Sequence, residues 1–392
     1  MRRTRLAMTA LALLTLPALA QVEQGPPNAP FEPAFENQTR APALPSTAVQ
    51  ADLFAGPLEN PWGIAALPDG GFLVTERPGR LRMVSADGTL SEPIQGLPAV
   101  DAREQGGLLD VAVSPDFASD RTVFWTYAKP LDGGMTATAA GRGTLSEDGA
   151  QLTDVRDIFV QTPPSPTPMH YGSRIVPDGE GNVLITTGEH FTEEERVLAQ
   201  DPEATYGKVV RVTENGEALS GNPYAGGGGR AEVYTLGHRN IQAAALGPDG
   251  RFWTIEHGPL GGDELNLIEG GTNYGWPVVN YGLNYDGSPV GSGEPRAEGF
   301  AEPVYYWDPV IAPSGMDFYE GDLFEGWQGD ALVGSLSPGG LVRIRIEGDR
   351  VTGEERMLPD VGRVRDVLEL EDGSLLLLID APDVGILRVT PG

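Results

Sequence analysis

The chain has 392 residues, in which 27 lysines and arginines face 56 aspartates and glutamates for a formal net charge of −29. That excess argues against nucleic acid, anionic membranes and other polyanions as partners. Cysteine is absent, which excludes thiolate catalysis, thiolate metal sites and disulfide bracing.

The N-terminus reads as a cleaved export signal. Arg2, Arg3 and Arg5 give a positive start, Leu6 to Leu16 a mostly apolar run, and Ala18-Leu19-Ala20 a small-residue cleavage site. The run is too short to span a bilayer, and no later segment is apolar enough. Residues 1–20 are therefore expected to be removed, leaving a periplasmic or secreted protein without membrane insertion. Residues 21–50 contain Pro26, Pro27, Pro30, Pro33, Pro42 and Pro45 and lack an apolar period, the composition of an extended linker or arm.

From residue 51 a theme repeats: a short apolar strand, a Pro/Asp/Gly turn, a second apolar strand. It begins at Gly63-Ile-Ala-Ala-Leu, Leu109-Asp-Val-Ala-Val, Ser173-Arg-Ile-Val, Gln242-Ala-Ala-Ala-Leu, Gly315-Met-Asp-Phe and Asp366-Val-Leu-Glu-Leu. Asp-Gly turns mark hairpins. Six such units and no long helical pattern predict an all-β chain, one six-bladed β-propeller over 51–392, with long loops gathered on one face. Ala51-Asp-Leu-Phe54 is expected to pair beside Gly385-Ile-Leu-Arg-Val389 and close the ring.

All four histidines (His170, His190, His238, His257) fall in the middle of the chain, and only two lysines occur, Lys129 and Lys208. Arginines in loops of so acidic a protein point to bidentate carboxylate or phosphate binding. His170 follows the stiff run Pro163-Pro-Ser-Pro-Thr-Pro168 at a strand entrance, which suits a general base, although a lone histidine is more often structural. Arg239 and Asn240 precede a strand; the arginine either faces the channel or ties blades together. Gly258 and Pro259 offer consecutive carbonyls, with Glu264 and the Tyr274 carbonyl nearby, a hard-oxygen set that suits Ca²⁺. Arg363 and Arg365 share one face of a strand, as a binding pair or as surface charge. Gln105 supplies an amide ahead of a strand.

Taken in register, Gln105-Gly-Gly-Leu-Leu109, His170-Tyr-Gly-Ser-Arg174, Gly237-His-Arg-Asn240, Glu256-His-Gly-Pro259, Gly262-Asp-Glu-Leu-Asn266, Asn273-Tyr-Gly-Trp-Pro277 and Arg363-Val-Arg-Asp366 resemble the soluble quinoprotein glucose/sorbosone dehydrogenase family. The likeness is to its aldose sugar dehydrogenase branch and runs from about residue 51 to the C-terminus. It implies oxidation of aldose sugars at C1 to lactones, with pyrroloquinoline quinone (PQQ) and Ca²⁺ as cofactors and an unidentified electron acceptor. Carried over residue by residue, it implies His170 as base, Glu189 as its orienting partner and Arg239 as stabiliser of developing charge. It further implies Gln105, Arg239, Asn240, Gly258, Tyr285, Asp286, Arg363 and Arg365 around PQQ, and Gly258, Pro259, Glu264 and Tyr274 around calcium. Ser337 stands where the glucose enzymes carry a lysine, and Met169 where an acidic residue often precedes their histidine. Both departures weaken the case for glucose specificity. The rival readings are a Ca²⁺-dependent sugar lactonase and a non-catalytic sugar-binding propeller.

Overall fold

The structure, a computed structural model, describes residues 20–392; the expected export signal lies outside them except for Ala20. Five four-stranded sheets and one three-stranded sheet form six blades, as the repeats predict. The innermost strands are Pro61–Ala66, Leu108–Val113, Gly172–Pro177, Ile241–Leu246, Pro313–Phe318 and Val364–Glu369, each hairpinned to the next strand of its blade. They neighbour one another around a ring. Four of the six inner hairpins turn at Asp-Gly, where Gly70, Gly179, Gly250 and Gly373 supply the positive φ; the second turns through the short helix Phe117–Asp120 and the fifth through the longer loop 319–330.

Ring closure uses the N-terminal strand. Val49–Glu59 pairs antiparallel with Pro382–Pro391, Ala51 opposite Val389 and Leu53 opposite Leu387. The last blade therefore contains both ends of the domain, with the N-terminal strand as its outer edge. Apolar faces of adjacent blades pack together; Trp253, Trp307 and Val333, for instance, share one cluster between the fourth and fifth blades.

The arm over residues 21–48 is fixed against the fourth and fifth blades. Gln24 Nε2 donates to Glu354 at 3.0 Å, and Asn28 N–H and Ala29 N–H donate to the Asp308 carboxylate. Gln38 and Ala41 are fully buried. The prolines favour an extended path while several of the remaining amides find partners in the blades, so the segment behaves as a strap and not as a free linker.

Arg174 plugs the channel. Its Nη1 lies 3.0 Å from both Asp110 and Asp366, its Nε donates to Gln242 O at 2.7 Å, and it stacks 4.3 Å from the Trp62 ring. One guanidinium thus joins five blades, the role the sequence left open for Arg239.

Candidate active site

Above this plug lies a cavity of about 300 Å³ lined by Trp62, Arg77, Gln105, His170, Arg239, Asn240, Gln242, His257, Tyr285, Ala312, Leu336, Arg363, Arg365 and Asp380. Its address in the chain is regular. The lining comes from residues that enter a blade's first strand (Gln105, His170, Arg239, Ala312, Arg363) and residues that leave its second (Arg77, His257, Leu336, Asp380). Those positions share one end of the ring.

His170 sits in left-handed backbone, φ 48°. Its N–H donates to Gln105 Oε1 at 2.9 Å, and Gly172 N–H donates to Asn240 Oδ1 at 2.9 Å. The two amides thereby fix the loop, and their NH₂ groups have no acceptor among the described residues. A Cβ on Gly188 would collide with the His170 carbonyl, so only glycine lets the two loops approach. His170 Nδ1 lies 2.8 Å from Glu189 Oε2, which also accepts Phe191 N–H at 2.6 Å. A fully buried carboxylate there fixes Nδ1 as the protonated nitrogen and leaves the Nε2 lone pair free. Burial pushes the Glu189 carboxyl up, but His170 and Arg239 outweigh it and hold it below the usual range. Burial, aided by Arg239, holds His170 below the ordinary imidazole range against the opposing pull of Glu189. A neutral base beside an anion results.

Arg239 Nη1 donates to His257 O at 3.0 Å and Gly258 O at 2.8 Å, and Nη2 reaches the Tyr285 hydroxyl at 3.3 Å. Its Nε is buried without a hydrogen-bond partner among the described residues, 4.0 Å from Glu189 Oε1. Behind it Glu256 accepts from Arg239 N–H at 2.5 Å and holds His238 Nδ1 at 2.7 Å, so that histidine is a support. His190 is also internal, between Thr167 O and Gln161.

Arg365 donates to Asp380 at 2.6 Å and to Gln242 Oε1 at 2.9 Å, and its buried Nε is unpartnered. Arg363 is half exposed, 3.3 Å from the same Asp380. Burial pushes the Asp380 carboxyl up, but the two arginines bring it down to about 2. Asp286 does not line the cavity: its carboxylate turns back onto Ser288 N–H and Oγ in an exposed turn. Asp286, which the resemblance places around PQQ, makes a self-contained Asx turn with Ser288 instead.

Gly258, Pro259, Glu264 and Tyr274 meet around a second, smaller cavity of about 10 Å³, also bordered by Arg239 and His257. That is room for one water-sized sphere. The Pro259 and Tyr274 carbonyls accept no hydrogen bond among the described residues, whereas Gly258 O takes Arg239. Asp263 fastens the turn through Gly258 N–H at 2.8 Å. Burial, with Glu256 close by, drives the Glu264 carboxyl well above the usual range. Two free carbonyl oxygens beside a buried carboxylate are a donor set that suits a hard cation.

Trp62, Arg77, Gln242 and Asp380 were not singled out, and His257, noted only as a motif member, lines both cavities. Burial and Arg239 keep His257 neutral, down to about 3, while its Nε2 donates to Pro313 O at 2.6 Å. The signal that finds Arg77, His257 and Asp380 is positional: each directly follows the second strand of its blade.

The family model for glucose/sorbosone dehydrogenase matches residues 58–388. The aldose sugar dehydrogenase YliI of Escherichia coli is 42% identical over 355 residues, covering 89% of this chain and 94% of its own. The crystal structure of the apo-form of the soluble Escherichia coli aldose sugar dehydrogenase superposes with a TM-score of 0.84 at 40% identity, covering 88% of this chain and 100% of that one. A PQQ-bound aldose sugar dehydrogenase from Streptomyces coelicolor gives a TM-score of 0.72 at 29% identity, covering 88% and 99%. No helix among the described residues is long and apolar enough to cross a membrane.

Proposed function

We infer the reaction from one premise: this chain belongs to the glucose/sorbosone dehydrogenase family and is an oxidoreductase. Within that family we assign it oxidation of the C1 hydroxyl of aldose sugars to lactones, with PQQ as hydride acceptor and Ca²⁺ beside it. When bound, PQQ supplies the ortho-quinone that takes up hydride and Ca²⁺ the Lewis acid that polarises it.

The residues present fit both groups. PQQ carries three carboxylates, and the cavity offers Arg77, Arg239, Arg363 and Arg365, with unpartnered donors on Arg239 Nε, Arg365 Nε and the Gln105 and Asn240 amides. Gly258, Pro259, Glu264 and Tyr274 would hold the cation.

One observation carries the reading: His170 presents a free Nε2 at the cavity while Glu189 holds Nδ1 at 2.8 Å. The sugar's C1 hydroxyl gives its proton to Nε2 as C1 loses hydride, and C1 becomes the lactone carbonyl. Glu189 stabilises the imidazolium that forms and keeps its tautomer. Arg239 places a fixed positive charge where negative charge develops, in a site that needs no solvent reorganisation. Gln105 and Asn240 hold the base still.

We further read the protein as exported through cleavage near Ala20, passing electrons to an acceptor the chain does not identify. The test adds PQQ and Ca²⁺ to purified protein, then an aldose without oxygen. Loss of the oxidised-cofactor absorbance with lactone formation is expected. No loss, together with hydrolysis of a sugar lactone that needs Ca²⁺ alone, would replace this reading with the lactonase.

A further inference from the structure

Seven large apolar side chains are exposed among the described residues, and four of them, Phe191, Val197, Val278 and Tyr285, lie on segments 190–197 and 276–285. These segments face each other beside the cavity: Arg196 donates to Asn284 at 3.0 Å and lies 5.9 Å from the Trp276 ring. Apolar exposure gathered in one place marks a binding surface.

Phe191 stands nearest the chemistry. Its ring is edge-on to His170 at 5.1 Å between centroids, and 6.4 Å from Tyr285. Packing does not demand it, since it is 38% exposed. Its backbone is moreover left-handed, φ 78°, a conformation costly to any residue but glycine. What holds it there is Phe191 N–H on Glu189 Oε2, the oxygen that also faces His170 Nδ1. The carboxylate that orients the base therefore also sets an aromatic ring beside it. Beside it, the Tyr285 hydroxyl is held by Arg239 while its ring is 62% exposed.

We propose that Phe191 and Tyr285 together form the apolar platform of a sugar subsite, over which an aldopyranose lays its C–H face with C1 turned toward His170. This rests on the aldose-oxidation reading above. An aromatic face is negative and attracts the weakly positive C–H groups of a pyranose ring. Such contacts do not read whether a given hydroxyl is axial or equatorial. A site built on hydrogen bonds to hydroxyls rejects analogues far more strongly than an apolar one does. The subsite therefore accepts aldopyranoses as a class, epimers included.

The test uses holoenzyme loaded with PQQ and Ca²⁺, with glucose and its epimer galactose as probes. Phe191→Leu keeps apolar bulk and removes the aromatic face; Phe191→Trp keeps the face. For Phe191→Leu, KM should rise about 3- to 10-fold for both sugars, the worth of an aromatic contact. Its kcat should stay within about twofold, a loss confined to binding. Phe191→Trp should restore KM. Saturation transfer from aromatic protons to the ring C–H protons of glucose should be strong in the wild type and the Trp variant and weaker in the Leu variant. A fall in kcat at unchanged KM would make Phe191 a positioning residue for His170 and overturn the proposal, as would unchanged KM with both sugars. Wild-type holoenzyme that oxidises neither sugar defeats the underlying reading instead.

Discussion

Replacing Glu189 by glutamine isolates what the carboxylate does for His170. Glu189 is fully buried, and its Oε2 serves two donors, His170 Nδ1–H at 2.8 Å and Phe191 N–H at 2.6 Å, while Oε1 faces Arg239 Nε at 4.0 Å. A glutamine can keep its carbonyl toward the two donors, but its NH₂ then points at Arg239 Nε, donor against donor. Turned over, it sets NH₂ against Phe191 N–H and drives His170 to the wrong tautomer. The first arrangement loses a charge-assisted bond, about 1.5–3 kcal/mol or 10- to 100-fold in rate. The second approaches the roughly 10⁴-fold loss known when a carboxylate partner of a catalytic histidine becomes an amide. We therefore expect kcat to fall by about 10²-fold or more, with little change in PQQ affinity. The sign with pH also follows. The Glu189 charge raises the His170 pKa, so its removal lowers it further. A base must be neutral to act, so the acid limb of kcat/KM, already below the ordinary histidine value of about 6.5 in the wild type, should move to lower pH. The assay is dye-linked aldose oxidation from pH 4 to 8 with saturating PQQ. A variant within about threefold of wild type, or a limb displaced to higher pH, would refute the reasoning.

Other outcomes follow from the same geometry. His170→Ala should bind PQQ yet lose about 10²–10⁴-fold in turnover, whereas Arg365→Ala should weaken PQQ binding by about 10- to 100-fold and recover when PQQ is raised; titrating activity against PQQ separates them. Chelation followed by PQQ should restore aldose oxidation only when Ca²⁺ is returned, and full activity in metal-free buffer would remove the small cavity's proposed role. Arg174→Met should destabilise by about 3–5 kcal/mol at pH 7, because Asp110 and Asp366 are left buried without their cation. Burial already raises Asp110 to about 6 and Asp366 above its usual range. Native-state proton uptake therefore exceeds that of the unfolded chain as pH falls toward 5.5, and part of the loss should return there; urea midpoints at the two pH values test this.

The architecture was legible because each blade repeats a local signal, two short apolar runs joined by a turn rich in Pro, Asp or Gly, and closure follows once six are counted. The lining of the candidate site was legible where a residue enters a first strand in an unusual motif, as His170, Arg239 and Arg363 do. It was less so where function depends on what a side chain meets across the ring. Nothing near Arg174 in sequence marks Asp110 and Asp366 as its partners, nor Asp380 as the counter-charge of Arg365. Asp286 misled for the converse reason: its own turn satisfies it, and a one-dimensional pattern does not distinguish that from a loop reaching inward. The Pro-rich arm has no apolar period, yet it is fixed by hydrogen bonds to Glu354 and Asp308 far along the chain.

The central claim is that hydride leaves C1 while His170 Nε2 receives the hydroxyl proton. Anaerobic single turnover of the PQQ- and Ca²⁺-loaded protein with glucose, and with glucose deuterated at C1, tests it most directly. The account predicts that loss of the oxidised-cofactor absorbance is slowed several-fold by deuterium in the wild type, and that His170→Ala, with PQQ bound, shows almost none. Equal rates with both sugars in rapid single turnover, or a His170→Ala protein that matches the wild type, would contradict it.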